Sequence, residues 1–206
     1  MKHEWKKVEK EFYQPKEKPQ LVTIPRFKFF TIHGQCNPNS SLFGEYIGVL
    51  YSLSYAIKMS PKKGNEPNGY FDYTVYPLEG IWDITEEAKQ KPMTTLDKDA
   101  LVFDLMIRQP DFVTLEYATT IIDQVKKNKP HSLLTEVRFI EIEEGPCVQM
   151  LHNGSYDNEP QSFELMEQYC KANNLIRQSK IHREIYLSDA RKVSPDKLKT
   201  ILRFNV

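Results

Sequence analysis

The feature that most constrains this chain is an order of hydrophobic patterns that occurs twice. LVTIPRFKFFTIHG (21–34) is rich in β-branched and aromatic residues, ends at Gly34 and runs into the polar stretch CNPNSS, which predicts a strand followed by a turn. From Ser41 the residues Phe43, Tyr46, Ile47, Leu50, Leu53, Ser54 and Ile57 recur at spacings of three and four, one stripe of an amphipathic helix that SPKKGNEPNG ends. YFDYTVYP (70–77) and ALVFDLMIR (100–108) predict two further strands, joined by a connector that is polar except for Ile81 and Trp82. RQPDFVTLEYATTIIDQVKKNKP then predicts a helix that starts at Pro110 and Asp111. It carries Leu115, Ala118, Ile121, Ile122 and Val125 on one face, ends in lysines and stops at Pro130.

The second half runs through the same order. TEVRFIEIEEGPCVQMLHNG predicts a strand, SYDNEP a turn, QSFELMEQYCKANN a helix, and IHREIYLSD and LKTILRFNV two strands. The echo is also local: KFFTIHG (28–34) and CVQMLHNG (147–154) both close a strand with His and Gly, and Phe43 and Phe163 open the two helices at similar offsets. Two strand, helix, strand, strand units in tandem predict one α+β body with a pseudo-twofold axis, an arrangement that commonly leaves a cleft. The expected organisation is an arm over 1–20, docked by Trp5, Phe12 and Tyr13, and one domain over 21–206, with modules at about 21–130 and 131–206.

Charge and composition narrow the function classes. Lys and Arg number 28 and so do Asp and Glu, whereas a nucleic-acid binder usually gathers an excess of cations for phosphate contacts. The amino terminus is charged throughout and lacks the apolar core of a signal peptide, and no apolar run is long enough to span a bilayer. A cytoplasmic protein without nucleic-acid or membrane partners is the expectation. Cys36, Cys147 and Cys170 are odd in number and widely spaced, which predicts reduced, partly buried thiols.

Motifs for the commonest chemistries are missing. Neither GxxxxGK[ST] nor GxGxxG occurs, and the five histidines show no HExxH or CxxC partner spacing, so neither a nucleotide cradle nor a metal or other cofactor is expected. There is no GxSxG elbow to activate Ser155, and no identifiable triad for Cys147. What remains is a 12% aromatic content together with isolated carboxylates on strands. In HREIYLSD a period of two sets Arg183 with Ile181, Ile185 and Leu187, and puts His182, Glu184 and Tyr186 on the opposite face. On pattern alone such a glutamate belongs to a solvated sheet face.

VTIPRFKFFTIHG, VYPLEGIWDI, LMIRQPDFVT, GPCVQMLHNGSYDNEPQSF and HREIYLSDARKVSPDKLKTILRF, in this order and spacing, resemble a stand-alone GyrI-like small-molecule-binding protein from about Lys18 to Val206. The resemblance implies a tandem of strand-helix-strand-strand (SHS2) modules framing a central, aromatic-lined ligand cavity. It also implies that a glutamate on a late strand projects into that cavity, and the matching position here is Glu184. Related domains serve as drug sensors attached to helix-turn-helix DNA readers, as a gyrase inhibitor, and as hydrolases of cyclopropane-bearing DNA alkylators. The first 20 residues here are too few for a helix-turn-helix.

On that resemblance, Glu184 is the expected general base and Tyr70 or Tyr73 the hydroxyl donor, with Tyr70 placed in the catalytic pair. Phe71, Tyr73, Trp82, Met106, Met150, His152, Tyr156 and Tyr186 are the expected ligand contacts, while Phe163 and Met166 are left to the core. Alternation sets Phe71 and Tyr73 on one face of the 70–77 segment and Tyr70 and Tyr76 on the other. The expected partner is a hydrophobic aromatic small molecule. Hydrolysis of cyclopropanoid toxins is favoured over simple sequestration of aromatic or cationic lipophilic compounds.

Overall fold

A computed structural model describes residues 2–90 and 97–206. Among these, helices α1 (Trp5–Val8), α2 (Lys10–Tyr13), α3 (Ser41–Lys58), α4 (Glu86–Lys89), α5 (Leu115–Asn128) and α6 (Glu159–Ala172) alternate with strands β1 (Gln20–Gln35), β2 (Leu78–Ile84), β3 (Leu101–Gln109), β4 (Arg138–Asn153), β5 (His182–Tyr186) and β6 (Lys199–Asn205). Helix and strand are therefore mixed as expected. The residues divide into two compact units. The first holds His3 with Phe27–Leu78 and Trp82–Ile142, and the second holds Glu4–Arg26, Glu79–Ile81 and Glu143–Val206.

In the first unit β1 and β3 pair antiparallel from Lys28↔Gln109 to Gln35↔Val102. Helix α3 packs on β3 and α5. Ser40 caps α3 by accepting from the Phe43 N–H, and Tyr46, Val49, Leu50, Leu53, Ser54 and Ile57 form its buried stripe. Gly34 is required by close approach, because a Cβ there would lie 2.6 Å from the Phe103 ring.

Three expectations for this unit are corrected. Helix α5 begins after Thr114, whose hydroxyl accepts from the Tyr117 N–H, rather than at Pro110, and Leu115 is exposed. Residues 110–113 instead form a turn closed by Val113 N–H to Pro110 O at 3.0 Å, and the Thr114 hydroxyl caps the helix that follows. The 70–77 segment is not a ladder strand: it meets the arm at one parallel bridge, His3↔Tyr73, closed by His3 N–H to Asp72 O at 2.7 Å and Thr74 N–H to His3 O at 2.9 Å. The stretch read as a polar connector contains a strand instead, because β2 begins at Leu78 and includes the buried Glu79 and Trp82.

In the second unit β6 lies between β4 and β5, pairing Cys147↔Asn205 through Asn153↔Lys199 on one side and Arg183↔Arg203 through Tyr186↔Thr200 on the other. Val148, Met150, Leu202 and Phe204 of the sheet meet Met166 and Cys170 of α6 in a buried core, with Phe163 packed against it. Trp5 and Tyr13 of the arm are buried in ring contact at 4.9 Å, while Phe12 is only half-buried. The arm is also tied down by Gln149 Nε2 donating to Glu11 O and by Leu151 N–H donating to Lys16 O. All three cysteines are free, and burial, followed by the Glu144 charge, pushes the Cys147 thiol up to about 12, which leaves it unreactive.

Candidate functional site

Strand β5 sorts its side chains as its period of two requires. Arg183 is fully buried, donating from Nη1 to Glu79 at 2.8 Å and from Nε to Glu144 at 2.8 Å. Arg203 reaches the other Glu144 oxygen at 3.3 Å, and its guanidinium also bonds Gln149 Oε1 and the Phe12 carbonyl. Burial alone would raise the Glu144 carboxyl, but the charges of Arg183 and Arg203 win and hold it below its ordinary range. The two arginines and two glutamates compensate one another.

On the opposite face of the same strand no arginine or lysine pairs with the Glu184 carboxyl among the described residues. Glu184 is buried, with its Oε1 3.1 Å from His182 Nε2. The other His182 nitrogen faces the Lys180 carbonyl at 3.4 Å, and the Phe163 ring meets the imidazole edge-on at 4.7 Å. A second carboxyl joins them: Glu159 opens α6, is 7% exposed, and brings a carboxylate oxygen within 4.8 Å of one of Glu184. One ligand-type atom from each of Glu159, His182 and Glu184 lies within 4.8 Å of the others, a set that could also hold a divalent cation.

The electrostatic consequence falls on Glu159. Burial, then the Glu184 charge and the bond to it, push its carboxyl up to about 10. A helix amino terminus favours an anion by only about 0.3–1 kcal/mol, which is too little to offset desolvation beside a like charge. Tyr156 feels the same field: burial, then the charges of Glu184, Glu159 and Asp189, push its phenol up to about 12, so it remains a proton donor at neutral pH. Its ring packs edge-on against Tyr186 at 6.1 Å.

The structure thus brings Glu184, Tyr156 and Tyr186 together with His182 and Glu159. Met150 lies in the core beneath α6. His152 is buried with both nitrogens engaged, Nε2–H donating to Ser155 O at 3.0 Å while Nδ1 accepts from the Ser162 hydroxyl at 2.9 Å. It fastens the turn before α6 to that helix. Gly154 follows at φ 123°, so the two His-Gly echoes have different causes: a close ring contact at Gly34 and a positive φ at Gly154.

The remaining candidates belong to the first unit. Tyr70, Phe71 and Tyr73 each contact Phe112, at 5.2, 5.1 and 5.9 Å. The Tyr70 hydroxyl donates to Lys58 O at 2.9 Å, and the buried Tyr73 hydroxyl has no hydrogen-bond partner among the described residues. Lys58 pairs with Asp72 and stands over the Tyr73 ring. Trp82 packs with Phe43 and Phe103, and Met106 is buried in β3.

Glu159 is the residue that sequence reasoning missed. In SYDNEPQSF it reads as an acid at a helix start, and only its burial beside Glu184 distinguishes it. No described helix is long and apolar enough to cross a membrane.

Comparison with known proteins places this geometry in a family. No curated protein matches the chain. Among solved structures it is similar to a hydrolase from Listeria innocua, with 35% identity, 98% of each chain covered and a TM-score of 0.88. Another solved structure of a Listeria innocua hydrolase gives 36% identity over 99% of this chain and 98% of the other, with a TM-score of 0.89. The EcmrR C-terminal domain, at 14% identity, 91% and 96% coverage and a TM-score of 0.54, shares the fold alone. The GyrI-like small molecule binding domain matches residues 17–206, and the chain belongs to that family.

Proposed function

We propose that this protein is a hydrolase that adds water to cyclopropane-bearing aromatic DNA alkylators, with Glu184 as general base. The observation that carries the reading is the Glu184 carboxylate itself, buried against His182 and Glu159 and flanked by Tyr156 and Tyr186 rather than by an arginine. The hydrolase descriptions of two solved structures at 35% and 36% identity support it. The tandem SHS2 arrangement, with modules at 21–130 and 131–206 framing an aromatic cavity, is the architecture this reading adopts.

In the proposed reaction Glu184 takes a proton from a water molecule whose oxygen attacks the cyclopropane carbon. The strained C–C bond breaks, and its electron pair moves through the conjugated dienone to the distal oxygen, which becomes a phenolate. A tyrosine hydroxyl donates to that oxygen. Tyr156 takes this role in preference to Tyr70, whose hydroxyl is already given to Lys58 O. Stacking against aromatic side chains would hold the flat substrate.

The test is incubation with a duocarmycin-like cyclopropanoid and mass spectrometry of the ring-opened product. Glu184→Gln should lower turnover by about a hundredfold to ten-thousandfold. Equal turnover by wild type and Glu184→Gln would remove the base from the mechanism. Tyr156→Phe should cost roughly tenfold, the worth of one hydrogen bond to developing charge, and a larger loss in Tyr70→Phe than in Tyr156→Phe would reverse the choice of donor.

A second reading is sequestration of cationic lipophilic compounds, favoured by a buried carboxylate without an arginine or lysine partner among the described residues, close to Tyr156, whose ring meets that of Tyr186. Calorimetry with an aromatic cation separates the two. Binding that Glu184→Gln abolishes, with no product from any cyclopropanoid, would establish sequestration.

A further inference from the structure

Strand β5 and the first turn of α6 bring three metal-binding side chains to one place. His182 and Glu184 stand two residues apart on β5 and so share a face, and Glu159 reaches them from the start of α6. One ligand-type atom from each lies within 4.8 Å of the others, and His182 Nε2 is 3.1 Å from Glu184 Oε1. Around a tetrahedral Zn²⁺ with bonds of about 2.0–2.1 Å, ligand atoms stand roughly 3.3 Å apart. The His182–Glu184 separation is already close to that spacing, and small rotations of the Glu159 side chain would close the remaining edges.

The surroundings of Glu159 point to a cation independently of the spacing. The residue is 7% exposed, and its Oε1 is buried with no hydrogen-bond partner among the described residues. No arginine or lysine pairs with Glu159 or Glu184 among those residues. The His182 ring cannot serve both carboxyls, because Nε2 carries at most one hydrogen. Its Nδ1 faces the Lys180 carbonyl at 3.4 Å, and a neutral imidazole that keeps its proton there presents a bare Nε2 to the two acids. Three acceptors that converge in this way are satisfied together by one positive ion.

We propose that Glu159, His182 and Glu184 form a binding site for a divalent cation of the zinc class, and that the bound ion takes the Glu184 carboxylate out of the hydrolytic reaction. The site itself stands apart from the hydrolase reading; the inhibition rests on it. Two carboxylates balance the charge of the ion, so the cluster is neutral when filled and tolerates burial. An imidazole ligand favours Zn²⁺ or Co²⁺ over Mg²⁺ and Ca²⁺, which take shells of oxygen. The His182 side chain is 20% exposed and that of Glu184 11%, which leaves an approach from solvent and a fourth position for water.

The inhibition follows from the use of lone pairs. A carboxylate oxygen that donates its pair to the ion is a weaker base toward the attacking water. The ligands come from a helix and a strand, which is why the HExxH and CxxC spacings of single-segment sites gave no signal for them.

The experiment strips the protein with EDTA and titrates it with ZnCl₂ by calorimetry, alongside Glu159→Gln, His182→Gln, Glu184→Gln and, as a surface control, Glu143→Gln. Wild type should take up a single Zn²⁺. Each of the first three substitutions should weaken uptake by roughly a hundredfold or more, since losing even an outer partner of a ligand costs about 10–100-fold. Glu143→Gln, whose carboxylate pairs with Arg26 in the open, should bind as wild type does. Zn²⁺ should raise the thermal midpoint of wild type and of Glu143→Gln and leave those of the three ligand variants in place. Co²⁺ should give visible d–d bands without a thiolate charge-transfer band. No uptake by wild type, uptake that the three substitutions leave unchanged, or a thiolate band overturns the site. Cyclopropanoid turnover should fall as Zn²⁺ is added, with its midpoint at the calorimetric Kd, and uptake at the three residues with turnover unchanged or raised overturns the inhibition. If metal-free wild type turns over no cyclopropanoid while the titrations hold, the hydrolase reading fails and the cation site stands.

Discussion

Arg183 and Glu184 are neighbours on β5, both buried, and their surroundings follow opposite rules. On the Arg183 face two arginines meet two glutamates, and Arg203 also donates to Gln149 and a backbone carbonyl. On the Glu184 face two carboxyls share a site with one imidazole and a phenol. A buried ionic cluster that balances its charge is a structural element, because each ion is solvated by its partners. One that leaves like charges together raises the pKa of a member and costs stability, and such sites are candidates for chemistry.

Single substitutions can break this contrast. The largest effect is expected from Arg183→Ala, which takes from Glu79 and Glu144 the buried guanidinium they share and should cost about 3–5 kcal/mol, read from denaturant midpoints. Glu184→Gln should do the reverse: it removes the charge that helps to hold the buried Glu159 carboxyl protonated, so stability at neutral pH holds or rises while turnover collapses. A loss of stability in Glu184→Gln comparable to that of Arg183→Ala would erase the distinction between the two faces.

The acid response sharpens the comparison. The folded Glu144 carboxyl is held below its ordinary range, so the unfolded chain binds the proton first as pH falls. Its stabilisation is present above about pH 4.5 and is lost as pH drops through the lowered folded value. Glu144→Gln should flatten that acid limb, whereas Glu159→Gln acts on the limb between neutral and alkaline pH. The smallest effect belongs to Arg26→Ala. Its pairing with Glu143 is exposed on both sides, and such pairs are worth about 0–1 kcal/mol. A larger loss there would mean that exposure does not discriminate between ion pairs in this protein.

Much of the fold was legible because its signals are local. The stripe on α3, the long β1 and β4, the core face of α6 and the two faces of β5 follow from periods of 3.6 and 2. The 70–77 segment has the alternation and aromatic content of a strand, yet whether an extended segment joins a ladder depends on which neighbour offers its edge. Here that neighbour is a single residue of the arm, His3. Strand β2 failed in the other direction: Glu79 made its stretch look polar, but Glu79 is buried because Arg183, 104 residues away, neutralises it.

The candidate site divides in the same way. Glu184, Tyr156 and Tyr186 were legible from the family resemblance, and strand alternation placed His182 beside Glu184. Glu159 was not legible, and neither was the occupation of His152 by Ser155 and Ser162.

The sequence by itself determined which side chains share a face, which segments bury an apolar stripe, and to which family the chain belongs. Alternation, helical spacing and motif order are properties of the chain alone. Only the tertiary structure decided which buried charges are compensated. Desolvation and Coulomb forces act between groups brought together from distant segments, and a carboxyl's protonation depends on what surrounds it after folding.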